Sequence, residues 1–74
     1  MARLVRLDRT GHTELAEWSA SDQESYESAA ALFRDQLAGG YMGVAQLRDR
    51  SYEQVKELPA DVDLVMLRRP IAGG

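Results

Sequence analysis

The run Asp63-Leu64-Val65-Met66-Leu67 is the most apolar strand candidate in the chain, and its large apolar side chains fall on both parities. A strand of that kind is buried on both faces, which places it in the middle of a sheet with neighbours and cover supplied by the rest of the chain. Pro59-Ala60-Asp61 breaks the chain just before it, because proline cannot continue a hydrogen-bonded ladder. Further upstream, 41–47 is an apolar strand candidate and 52–58 a more polar one, joined by the turn-forming Arg48-Asp49-Arg50-Ser51. The polarity of 52–58 predicts an edge position.

The segment before these strands carries a helix. Ser21-Asp22-Gln23-Glu24 has the Ser-x-x-Glu spacing of a capping box with Ser21 as the cap. Tyr26, Ala29, Ala30, Phe33 and Leu37 then recur at spacings of three and four, with Glu27, Ser28, Arg34 and Asp35 between them. This is one apolar stripe on a helix that faces a sheet. Gly39-Gly40 supplies a left-handed stop. At the N-terminal end, 4–8 and 13–18 read as the arms of a β-hairpin around Arg9-Thr10-Gly11-His12, with Gly11 providing a positive φ and Trp18 facing the core. The expected fold is α+β in the order ββαβββ, with one helix packed across one face of a mixed sheet and the last strand parallel to the first. Residues 1–69 form the domain and 70–74, with Pro70, Gly73 and Gly74, extend past it as a flexible tail.

Seventy-four residues make one domain with a small core, and a chain of that size has little room for an enclosed substrate cavity. Enzyme activity of its own is not expected. The absence of cysteine removes disulfides, thiolate nucleophiles and thiolate metal sites, and fits a cytoplasmic setting. His12 is the only imidazole and falls in a turn; the close carboxylate pairs Asp61/Asp63 and Asp22/Glu24 fit loop and cap roles. No metal set and no cofactor motif is legible, since Gly39-Gly40 follows a helix instead of opening one as a phosphate loop does. A net charge of −3 from twelve acidic and nine basic residues argues against nucleic acid, and the apolar runs are too short for a signal peptide or a membrane span. Trp18, Tyr26 and Phe33 have the spacing of core residues. The one dense basic group is Arg3, Arg6, Arg9, Arg68 and Arg69, which would gather on one side of the sheet if the first and last strands are neighbours, either as a docking patch or as a solvated face.

The sequence closes on Gly73-Gly74. A carboxylate on two glycines has no Cβ to obstruct threading into a narrow channel, and it can be turned into an acyl-adenylate, a thioester or an amide. A frayed end also tolerates glycine, so both readings stand at this level.

Together these residues resemble the ubiquitin-like β-grasp modifiers. The hairpin with its Thr10-Gly11-His12-Thr13 turn is similar to that family's first hairpin, whose turn also reads Thr-Gly-x-Thr, and the match continues into the Ser21-Asp22 helix start. Asp63-Leu64-Val65-Met66-Leu67-Arg68-Arg69-Pro70-Ile71-Ala72-Gly73-Gly74 resembles the family's last strand, basic stalk and terminal di-glycine, with Ile71 at the stalk leucine and Pro70 where the stalk usually has arginine. The resemblance implies a β-grasp fold and a Gly74 carboxylate activated with ATP by a separate adenylating enzyme, then joined to a target amine through an isopeptide bond. Gly73, Ala72 and Ile71 would form the threading tail, and Arg68 and Arg69, with Arg6 beside them, would dock the activating enzyme or a peptidase. It further implies a conjugating enzyme, a deconjugating peptidase and target proteins as partners. An exposed aliphatic patch would fall on Met42, Val44 and Met66, and Lys56, the only lysine, is the one side-chain acceptor for self-attachment. Eight arginines to that one lysine fit a bacterial coding preference. Two other readings share the fold: a sulfur carrier with a C-terminal thiocarboxylate, and a non-covalent interaction module.

Overall fold

A computed structural model describes residues 1–8 and 11–69. The element order is β1 (Ala2–Asp8), β2 (Gly11–Trp18), α1 (Gln23–Ala38), β3 (Met42–Gln46), β4 (Tyr52–Val55) and β5 (Leu64–Arg68). The strands form one mixed sheet in the order β2-β1-β5-β3-β4, so the most apolar strand is central. It runs parallel to β1, with Arg3 opposite Leu64 and Arg6 opposite Leu67, and antiparallel to β3, with Val44 opposite Met66. This is the expected ββαβββ arrangement, a β-grasp-like α+β fold with β4 at one edge. Thr10, part of the expected hairpin turn, and the tail 70–74 lie outside the described residues.

Side chains alternate across a strand, and the buried set follows that rule. Leu4, Val65, Leu67, Ala45 and Trp18 from the sheet meet Ala29 and Phe33 from the helix, all fully buried. Tyr26, Ala30 and Leu37 complete the helix stripe from half-buried positions. The hairpin carries a β-bulge, because the register between β1 and β2 shifts between Leu4 and Val5, leaving Leu15 as the extra residue on β2. Gly11 sits at φ 119°, which suits its place where the hairpin turns into β2.

Both helix ends are satisfied, with one correction to the expected start. The N-cap is Asp22, not Ser21: its Oδ1 accepts from the Ser25 amide at 3.3 Å, and Ser25 Oγ donates to the Asp22 carbonyl at 2.9 Å. The Ser21 hydroxyl is engaged with Ser19 Oγ at 2.9 Å, and a backbone bond from the Asp22 amide to the Ser19 carbonyl advances the entry by one residue. At the other end the Tyr41 amide donates to the Gln36 carbonyl and the Gly40 amide to that of Leu37, a Schellman closure that needs the left-handed φ of 101° at Gly40.

The connection between β4 and β5 is the least regular part of the chain, yet it holds two core residues, Leu58 and Val62. It is tied down by two aromatic donors: the Tyr26 hydroxyl donates to the Leu58 carbonyl, and Trp18 Nε1 donates to the Ala60 carbonyl at 3.4 Å. Strand β4 therefore ends at Val55, short of the expected 58.

The β3–β4 turn is closed by Asp49, whose carboxylate accepts from the Ser51 hydroxyl and, at 3.0 Å, from the Ser51 amide. These bonds, the side-chain one first, hold the Asp49 carboxyl below its ordinary value. A depressed folded-state value contributes turn stability above the unfolded pKa that is lost as pH falls through the folded one. In a carboxyl NMR titration, Ser51→Ala raises the Asp49 midpoint toward the ordinary aspartate value; an unchanged midpoint would contradict this account of the turn.

Candidate functional site

Two groups of side chains have no structural partner that explains them, one on each face of the sheet. The helix covers one face only. On the other, β1, β5 and β3 present Val5, Leu7, Leu64, Met66 and Val44, with Tyr52 from β4 beside them at 58% exposure. The register places Val5, Met66 and Val44 in one row across three strands. Val5 is buried within this face without belonging to the helix-side core. A row of contiguous apolar side chains on an uncovered sheet face is the kind of surface that recognises another molecule. Val44 and Met66, two of the three expected patch residues, lie here, and Met42 shares the parity of Val44 with Arg68 as its register partner. Charged and polar groups rim the patch: Arg3, His12 and Glu14 at the β1–β2 side and Arg68 at the far end of β5. Arg3 and Glu14 pair at 3.8 Å with both side chains well exposed, worth less than about 1 kcal/mol.

The second group lies on the helix side, where β5 leaves the sheet. Arg6 is the register partner of the buried Leu67, so it points to the helix side of β1. Its guanidinium carbon is 5.8 Å from the centroid of the Tyr41 ring, and that of Arg69 is 5.2 Å from the same centroid. Tyr41 is held in place by the Schellman closure and packs against the core. A guanidinium over an aromatic face gains roughly 0.5–1 kcal/mol at exposed sites while its in-plane N–H donors stay available. Arg6 Nε is enclosed and has no hydrogen-bond partner.

The expected basic group is thus divided. First and last strands are neighbours, but alternation sends Arg3 and Arg68 to the uncovered face and Arg6 and Arg69 to the helix side; Arg9 lies outside the described residues. Adjacent residues in an extended segment cannot share a face, so Arg68 and Arg69 could be separated from sequence alone. Tyr41 escaped sequence reasoning; the available signal was an aromatic residue directly after a di-glycine helix stop. The expected tail residues Ile71, Ala72, Gly73 and Gly74 lie outside the described residues. Lys56 is exposed in the bend after β4, on the opposite side of the sheet order from the hairpin.

Among the described residues, no three His, Asp or Glu side chains come together to hold a metal ion, and no helix is long and apolar enough to cross a membrane. A cleft of about 380 Å³ opens between the helix and the β4–β5 connection, lined by Tyr26, Glu27, Ala30, Arg34, Glu57 and Leu58. Comparisons with protein-family models, with curated proteins and with solved structures returned no match.

Proposed function

We propose that this chain is a ubiquitin-like modifier whose Gly74 carboxylate is activated by a separate ATP-dependent adenylating enzyme and joined to an amine of a target protein. The observation that carries the reading is the place of β5. The strand from which Arg69-Pro70-Ile71-Ala72-Gly73-Gly74 continues is central, is paired on both sides, and runs parallel to β1 in a β-grasp-like sheet. Six residues past so firmly held a strand, a glycine carboxylate can be presented to an enzyme no more than roughly 20 Å from the globular body, the reach of six extended residues.

In the proposed reaction the Gly74 carboxylate displaces pyrophosphate from ATP to give an acyl-adenylate. The target amine then attacks the acyl carbon, losing a proton and expelling AMP; where a conjugating enzyme intervenes, its thiol first displaces AMP to form a thioester, and the amine then expels that thiol. Glycine at 73 and 74 lets the tail enter a channel that a Cβ would obstruct. The uncovered apolar face would be read by the activating enzyme, by a deconjugating peptidase or by receptors of the modified target. That face also favours a second reading, a non-covalent interaction module for which the di-glycine has no chemical role.

Expression of tagged protein in its native cells tests the choice. The modifier reading predicts adducts of higher mass that survive denaturation and are abolished by deleting Gly74. A terminus in which sulfur has replaced one oxygen would make the chain a sulfur carrier, and unmodified protein with undiminished partner binding after the deletion would leave the interaction module.

A further inference from the structure

The Arg6–Tyr41–Arg69 cluster has properties that the conjugation chemistry does not require. Two guanidiniums converge on one ring, Arg6 from β1 and Arg69 from just past the end of β5; the Tyr41 backbone is held by the helix closure and its ring packs against the core. The Arg3–Glu14 ion pair lies on the other face, and among the described residues no carboxylate is seen paired with Arg6 or Arg69. Arg6 Nε is also removed from water with its proton undonated, an arrangement that costs free energy until an acceptor arrives.

We propose that this cluster is a docking site for a carboxylate-bearing segment of a partner protein. Contact with the Tyr41 face restricts both guanidiniums without using their N–H donors, so two forks are held ready for carboxylate oxygens. The scale of the site favours side-chain carboxylates over a nucleic acid. Phosphodiester binding draws on an extended basic surface, whereas here Arg68 and Arg3 point away to the other face and leave a compact pair of guanidiniums. The site is distinct from the apolar face behind it, so a partner could hold both faces of the sheet at once. It is also independent of conjugation, because its occupation needs no reaction at Gly74.

The test uses the full chain and an acetylated oligoglutamate peptide, with inorganic phosphate and a single-stranded oligonucleotide as separate probes, at low ionic strength. The peptide shifts the arginine Nε–H signals of Arg6 and Arg69 and the ring signals of Tyr41 saturably, and Arg6→Gln and Arg69→Gln each weaken it about tenfold. Arg68→Gln binds as the parent does. Because Arg69 is exposed at the end of β5, its substitution keeps the test decisive if Arg6→Gln unfolds. The proposal is overturned by an absent or unsaturable shift, by equal losses in Arg68→Gln and Arg69→Gln, or by phosphate or oligonucleotide binding as tightly as the peptide.

Discussion

Phe33→Ala lowers the unfolding free energy by about 3–5 kcal/mol, at the upper end for a single core truncation. The ring is fully buried and is the largest fully buried side chain of α1. A domain of this length has a total stability of about 4–11 kcal/mol, so the substitution removes a large share of it. Urea denaturation can follow the loss through Trp18, the sole tryptophan, which is fully buried beside the β4–β5 connection. A loss below about 1 kcal/mol would place Phe33 outside the core.

Gly43→Ala destabilises the fold by about 1–3 kcal/mol, against the sign that backbone preference alone gives. Glycine inside a strand is ordinarily the poorer choice, and its replacement by alanine would gain roughly 0.5–1 kcal/mol. Here a Cβ on Gly43 would lie 2.5 Å from Cε1 and Cζ of Phe33 and 3.2 Å from the Val55 carbonyl oxygen. The Phe33 ring therefore occupies the space that any side chain at 43 would need, and the glycine is what lets the helix settle onto β3. The two positions are coupled. In a Phe33→Leu background, Gly43→Ala costs less than in the parent, and a double-mutant cycle with strictly additive losses would sink the account.

The strands and the helix were legible because each carries a clean periodicity. Met66 and Val65 fall on opposite parities of one apolar run, and the central position of β5 follows from that alone. The stripe through Ala29 and Phe33 likewise dictated which side of the helix meets the sheet, and the glycines at 39 and 40 dictated where it stops. Leu58 and Val62 were not legible as core. They stand in an irregular connection, where burial is set by the donors of Tyr26 and Trp18 reaching carbonyls far away in the chain, and no local period marks them. The shift of the cap from Ser21 to Asp22 has a similar origin, since both residues are good caps and the choice is made by the Ser19–Asp22 backbone bond.

The basic group illustrates a different limit. Counting arginines near the two ends of the chain suggested one patch, while the alternation of β1 and β5 divides them between faces. What the sequence could not convey was that Arg6 and Arg69 would meet at Tyr41, a residue that reaches them only because the Schellman closure turns the chain into β3.

The central claim is that Gly74 becomes covalently attached to other proteins, and branched-peptide mass spectrometry tests it most directly. Trypsin cuts after Arg68 and is blocked between Arg69 and Pro70, so the remnant on a modified lysine is Arg-Pro-Ile-Ala-Gly-Gly and not a bare di-glycine. The account predicts lysines carrying that branch in digests from native cells expressing the tagged chain, and none from cells expressing the Gly74-deleted form. Digests from both samples that contain the tail only as a linear, unbranched peptide would contradict it.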